Sequence, residues 1–214
     1  MNKPHLIYFA DPMCSWCWGF SPVIDAIQAK YGEQLPIKLI VGGLRPGNQQ
    51  EMDEPEKADI RGHWQHVHEA SNQPFDYNFF NRDHFVYDTE PAARAIVVIR
   101  RQSMQLAIQA LKEIQHAFYA NNIDVTDIKE LAAIAEKLGF NKDNFKQELL
   151  SEDTKDETWK DFAVTHNSGI RGFPTLIAGV NDDQQYTLIT HSFQVSTKII
   201  PILENWQQHL VSTQ

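Results

Sequence analysis

Only two cysteines occur in this chain of 214 residues, and they stand three apart in Asp11-Pro12-Met13-Cys14-Ser15-Trp16-Cys17-Trp18-Gly19-Phe20. The run Leu6-Ile7-Tyr8-Phe9-Ala10 before them is short and apolar, and reads as a buried strand. Asp11-Pro12 breaks it, and a helix opens at Cys14. A thiol at a helix start sits where unpaired backbone N–H groups and the helix dipole favour an anion. A thiolate is such an anion, and it is the form that attacks disulfides. Cys17 falls on the same helix face and can close a small ring with Cys14. The spacing predicts a dithiol that cycles between reduced and disulfide forms.

The first helix is expected to run to about Tyr31, with Phe20, Val23, Ile24 and Ile27 as its apolar stripe, a kink or break at Pro22 and a stop at Gly32. Ile37 to Val41 reads as a second strand closed by Gly42-Gly43, giving a βαβ unit with parallel strands. From Leu44 to about Asn167 the pattern is helical. Helices are expected over Asp53 to Ser71, after Thr89-Glu90-Pro91 with the Thr89 hydroxyl as cap, along Ala107, Ile108, Leu111, Ile114 and Phe118, and after a Thr126 cap as far as Gly139. Asn144 to Leu150 and Asp156 to His166 complete that set. Strands return after Gly169: Ile170 to Ala178 reads as a loop entering a strand, Gly179 to Gln185 as a polar turn, and Tyr186 to Thr190 as the returning strand of a hairpin. Val195, Ile199, Ile202, Leu203 and Trp206 mark a closing helix. The order β-α-β, helical insertion, β-β-α is that of an α/β thioredoxin fold, with residues 1–43 and 168–214 forming a discontinuous domain and 44–167 a helical insertion domain.

Composition narrows the function. A net charge of −9, from 19 Lys+Arg against 28 Asp+Glu, argues against nucleic-acid binding. No run approaches membrane-spanning length, and Met1 to His5 lacks a secretory pattern, so the expectation is a soluble cytoplasmic protein. Two cysteines in a reducing compartment point to redox or metal chemistry before a structural bridge. His63, His66 and His68, with Trp64 among them, form the one histidine cluster; a solvated or packing role is expected there, and no metal. Arg100-Arg101 is explained as a cationic helix end, and Glu51 to Glu56 and Asp153 to Glu157 as solvated helix starts.

With these residues on the page the chain resembles the DsbA-like thiol–disulfide oxidoreductases of the thioredoxin superfamily, and within them the FrnE-like predicted disulfide isomerases. Cys14-Ser15-Trp16-Cys17, Gly172-Phe173-Pro174-Thr175 and the intervening helical segment carry the resemblance, which covers essentially the whole chain. It implies Cys14 as the attacking and Cys17 as the resolving thiol, with Pro174 following a cis peptide bond beside them. Such a bond costs about 0.5–1 kcal/mol before proline against about 2.5–4 before other residues. Ser15, Trp16, Trp18, Phe173 and Thr175 are the implied substrate-binding residues, with the Phe173 backbone open to an extended substrate strand. Phe20 reads as core. Two departures bear on the chemistry. Tyr8 stands where thioredoxin and DsbA carry a buried acid, so proton relay falls to water or another group; Asp11 is near, and a carboxylate close to Cys14 would oppose thiolate formation. Ser15-Trp16 contains no histidine, which implies a couple less oxidising than DsbA.

The function expected is reduction or isomerisation of protein disulfides. The implied partners are thiol- or disulfide-containing proteins and a cellular reductant, glutathione or a thioredoxin system. No bound cofactor is expected, with glutathione allowed as redox co-substrate. Two alternatives stay open. One is a glutathione-dependent enzyme of the kappa-class transferase or hydroxychromene-carboxylate isomerase type, although those commonly keep Ser for the first cysteine. The other is a redox-sensing adaptor without turnover, because some cytoplasmic DsbA-like adaptors carry a similar Asp-Pro-x-Cys segment.

Overall fold

The structure, a computed structural model, describes residues 3–180 and 185–212. Strand β1 (Pro4–Ala10), helix α1 (Ser15–Tyr31) and strand β2 (Ile37–Val41) form the expected unit, with β1 and β2 parallel from Leu6↔Ile37 to Ala10↔Val41. Six helices follow before the sheet resumes: α2 (Glu54–Ser71), α3 (Glu90–Gln102), α4 (Met104–Gln115), α5 (Ile128–Lys137), α6 (Lys142–Leu150) and α7 (Glu152–Asn167). Strands β3 (Thr175–Val180) and β4 (Tyr186–Thr190) are antiparallel to each other, and α8 (Ser196–Ser212) closes the chain. The sheet order is β2-β1-β3-β4, with β3 antiparallel to β1. This is the α/β thioredoxin fold with a helical insertion after its second strand. Of the turn expected over Gly179 to Gln185, residues 181–184 lie outside the described residues.

The insertion is fastened to the sheet through the outer edge of β2. An edge strand presents unpaired N–H and C=O groups that must be covered or solvated. Here side chains from the helices take them: Met104 Sδ accepts from Leu39 N–H at 3.1 Å and Asp161 accepts from Val41 N–H at 3.0 Å. Arg100 donates to the Leu39 carbonyl at 3.1 Å, and Thr165 donates to the Val41 carbonyl at 3.4 Å. Arg100 also pairs with Asp161 and Glu157, and Arg101 with Glu157 and Glu148. The two arginines are therefore more than a cationic helix end, and the acidic run Asp153 to Glu157 is not merely solvated. Glu56 and Glu51 likewise pair with Arg45 and His84.

Helix α1 runs through Pro22 as one element, where a kink or break was expected. Proline leaves the carbonyl four residues earlier without its donor. That carbonyl is Trp18 O, and Gln73 Nε2 donates to it at 3.0 Å, while exposed Pro22 faces solvent. Other expectations shift by one to four residues; α7 opens at Glu152, four residues before the expected Asp156. Thr89 precedes α3, but its hydroxyl accepts from Arg45 N–H, and Asp88 accepts from Glu90 N–H in its place. Asp127, not Thr126, caps α5 by accepting from Lys129 N–H, and Thr126 donates to Asp124. In α8 the inward positions are Ile199, Leu203 and the half-buried Ile200 and Trp206; Ile202 and the preceding Val195 are exposed.

Within the one core that the sheet and the insertion share, an aromatic cluster surrounds Trp64, which is fully buried against Phe75, Phe79, Phe80, Phe118 and Tyr119 at ring-centroid separations of 4.8–5.9 Å. Trp64 thus belongs to packing, while His63, His66 and His68 on the same helix are exposed. His68 Nδ1 lies 2.7 Å from the Gln73 carbonyl, and His63 lies 3.6 Å from Asp59.

Candidate functional site

Cys14 is the residue before α1, in extended conformation (φ −94°, ψ 115°), one position earlier than a helical start would put it. Its carbonyl accepts from the N–H of Cys17 at 3.0 Å and of Trp18 at 3.1 Å, so the helix grows directly off the Cys14 backbone. Both cysteines are free thiols. Cys14 keeps 6% of its surface exposed and Cys17 none, so the first thiol has access to solvent and the second does not.

The loop holding Cys14 is clamped from three directions. Asp11, fully buried, accepts from Met13 N–H at 2.9 Å and from Leu44 N–H at 2.7 Å, tying the loop to the segment after β2. Tyr87 donates its hydroxyl to the Met13 carbonyl at 2.7 Å. The Cys14 N–H donates to the Asp11 carbonyl at 3.1 Å. Burial pushes the Asp11 carboxyl up to about 6, with the N–H groups of Leu44 and Met13 and the Thr89 hydroxyl pulling the other way.

The third side of the site arrives from the start of β3. The Phe173–Pro174 peptide bond is cis, and the Cys14 thiol donates to the Phe173 carbonyl at 3.6 Å. Phe173 is positioned by the close approach of its ring tip to bare backbone: a Cβ at Gly42 would stand 2.2 Å from Phe173 Cζ. Gly42 N–H in turn donates to the Ala10 carbonyl at 2.8 Å, extending the β1–β2 ladder under that ring. Gly43, with φ +73°, sits beneath Phe162 in the same way. Gly42-Gly43 therefore does more than end a strand; it makes room for two aromatic side chains beside the dithiol.

The remaining sequence-derived site residues separate into two groups. Ser15 and Trp16 are half-buried, and the Trp16 ring lies 5.6 Å from that of Phe193, so an apolar surface flanks Cys14. Phe193, in the segment before α8, carried no motif that would have picked it out. Trp18 and Thr175 belong elsewhere. Trp18 is buried and donates its indole N–H to the Pro74 carbonyl at 3.1 Å, anchoring α1 to the insertion. Thr175 is buried and donates to the Gly172 carbonyl at 2.8 Å, closing the turn ahead of β3. Phe20 is fully buried core.

Behind the dithiol, burial raises Cys17 well above the usual thiol range, followed by the neighbouring Cys14; the nearby Asp11 charge adds to it. Tyr8, from the centre of β1, is 1% exposed, and its hydroxyl adjoins Cys17. Burial, then the two sulfurs, raise that hydroxyl strongly, so it stays protonated. A buried neutral phenol thus occupies the position where an ionisable acid was absent from the sequence. Among the described residues no group of three or more His, Cys, Asp or Glu side chains is placed to hold a metal, and no helix is long and apolar enough to cross a membrane.

Comparison with known proteins agrees with this geometry. The family model described as Thioredoxin matches residues 8–197. Among solved structures, a "putative protein disulfide isomerase" from Nitrosomonas europaea superposes with a TM-score of 0.89 at 34% identity, over 97% of this chain and 98% of that one. The cytosolic disulfide reductase DsbM from Pseudomonas aeruginosa, solved also with GSH, shares the fold with a TM-score of 0.77 at 22% identity, over 95% of this chain and 98% of its own. The ClpXP adapter protein SpxH of Halalkalibacterium halodurans is 27% identical over 183 residues, 82% of this chain and 59% of that protein. The chain thus spans about three-fifths of the length of that curated relative. A family match over most of its length, a relative of the same size and a dithiol built between α1 and the cis-proline turn lead to one assignment: the chain belongs to the thioredoxin family.

Proposed function

We propose that the chain is a cytoplasmic thiol–disulfide oxidoreductase that reduces or isomerises disulfides of protein substrates, with glutathione or a thioredoxin system returning it to the dithiol. The observation that carries this reading is the placement of the Cys14 thiol, with solvent access, 3.6 Å from the Phe173 carbonyl beside a buried Cys17. The Cys14 thiolate attacks one sulfur of a substrate disulfide; the second substrate sulfur leaves as thiolate and takes a proton from solvent. Cys17, deprotonated, then attacks Cys14 Sγ, forming the Cys14–Cys17 disulfide and expelling the first substrate sulfur. Two reductant thiols reverse the loss, becoming a disulfide themselves. If the substrate instead attacks its own mixed disulfide from another cysteine, the outcome is isomerisation. An extended substrate segment would lie along the Phe173–Pro174 turn, with apolar side chains against Trp16, Phe193 and Phe173.

A second reading rests on the curated relatives named ClpXP adapter protein SpxH. In it the dithiol reports redox state and the chain delivers a bound protein without turnover. Insulin reduction with glutathione as reductant separates the two. Turnover that Cys14→Ser abolishes supports the oxidoreductase. No turnover by the reduced wild-type protein, with a partner that binds Cys14→Ser as well as wild type, supports the adapter.

A further inference from the structure

Resolution by Cys17 needs its proton removed, yet Cys17 is fully buried and burial holds that proton tightly. The nearby Asp11 carboxylate, which already accepts from the Met13 and Leu44 N–H groups and the Thr89 hydroxyl, is itself fully buried and offers no direct exit to solvent. Tyr8 does offer one. Its hydroxyl adjoins Cys17 but makes no hydrogen bond of ordinary geometry, an exposed cost for a buried polar group. Tyr8 also lines a small cavity of about 10 Å³ between α1 and α4, room for about one water molecule. Gln115, the last residue of α4, lines the same cavity; it is fully buried, and neither its Oε1 nor its Nε2 has a hydrogen-bond partner. Ser21 adds a hydroxyl, and the half-exposed ion pair of Asp25 with Lys112 forms the cavity's outer rim. Three unpartnered buried polar atoms around a water-sized space are what one bound water, with its two to four hydrogen bonds, would satisfy.

We propose that Tyr8 and Gln115, through a water held between them, form the path by which the Cys17 proton leaves during resolution of the mixed disulfide. The Cys17 proton passes to Tyr8 Oη as the Tyr8 proton passes to the water, and from there to solvent past Asp25 and Lys112. The electron pair left on Cys17 Sγ forms the bond to Cys14 Sγ, and the bond from Cys14 to the substrate sulfur breaks with its pair on the leaving thiolate. Tyr8 is unchanged after the cycle, so a phenol that never ionises suffices. Gln115 positions the water and touches no reacting atom.

This rests on the dithiol reading above, and its test keeps the two apart. The full chain, reduced, is mixed with oxidised glutathione, and the acid-quenched protein is followed by mass. The first step adds one glutathione at Cys14; the second removes it as the Cys14–Cys17 disulfide forms. In Tyr8→Phe and in Gln115→Leu the first step is expected to hold within about twofold of wild type. The second is expected to slow tenfold or more, with the adduct accumulating; positioned proton transfer contributes about 10²–10⁴-fold. Gln115→Met removes the same amide from the cavity with a side chain of similar length should Gln115→Leu fail to fold. Wild-type resolution in the Tyr8 variant or in a Gln115 variant overturns the path, as does equal slowing of both steps, which reports a general structural defect. A wild-type protein that forms no adduct at Cys14 overturns the oxidoreductase reading itself, and the path with it.

Discussion

Asp11 makes a prediction whose sign follows from its surroundings. Its carboxyl is raised from 3.8 to about 6 because burial penalises the charged form more than its hydrogen bonds reward it. A carboxyl raised in the folded state binds more protons there than when unfolded, so it favours the fold most below pH 3.8 and loses that contribution as pH rises through 6. The full swing is about two pKa units at about 1.4 kcal/mol each, near 3 kcal/mol. Between pH 7 and pH 5 the part realised is about 1.3 kcal/mol. Urea unfolding at pH 5, 6, 7 and 8 reads it out when wild type is compared with Asp11→Asn, because the other carboxylates cancel in the difference. The wild-type protein should gain about 1.3 kcal/mol relative to the variant on going from pH 7 to pH 5. Asn keeps one acceptor and leaves one of the Met13 and Leu44 N–H groups unpaired, which shifts the whole curve by about 1–3 kcal/mol without tilting it. A pH-independent difference would refute the reasoning. A wild-type loss on acidification would do so more strongly, because it would mean a carboxyl held below its usual range.

Gly42→Ala should cost about 1–3 kcal/mol, because its Cβ would stand 2.2 Å from Phe173 Cζ and the ring must move; combining it with Phe173→Ala should cost less than the sum of the two in urea titrations. Arg100→Met leaves Asp161 unpaired against the edge of β2 and should lower stability by about 3 kcal/mol. Arg101→Met, at a more exposed position, should cost less than about 1 kcal/mol in the same assay. Trp18→Phe, which loses the bond to the Pro74 carbonyl, should cost about 1–2 kcal/mol by thermal or urea melt.

Local signals made most of the fold legible. The strand ahead of Cys14, the parallel return at Ile37 and the capped helix starts are short-range features, and each but the start of α7 stands within two residues of its expected place. Pro22 does not break α1, because the carbonyl it orphans, that of Trp18, finds a donor in Gln73, 55 residues further along the chain. The same limit explains the site. Cys14, Cys17 and Pro174 were readable because their chemistry dictates residue type and spacing. Asp11 was noticed without a direction, and its partners Leu44 and Thr89 are ordinary residues with nothing local to mark them. Trp18 and Thr175 stand next to the motif, and both are buried with partners that no local signal marks, the Pro74 and Gly172 carbonyls. Phe193 and Gln115 gave no signal at all; only the packing of the two ends of the chain and of α4 onto α1 brings them to the dithiol.

Mixed-disulfide trapping with Cys17→Ala tests most directly whether Cys14 attacks and Cys17 resolves. Incubated with a disulfide-bonded protein, the reduced variant should hold the substrate in a covalent adduct that maps to Cys14 by peptide mass and dissolves with excess thiol, while wild type turns over without accumulating it. No adduct on the Cys17 variant, or a stable wild-type adduct that never proceeds to the Cys14–Cys17 disulfide, would contradict that division of labour.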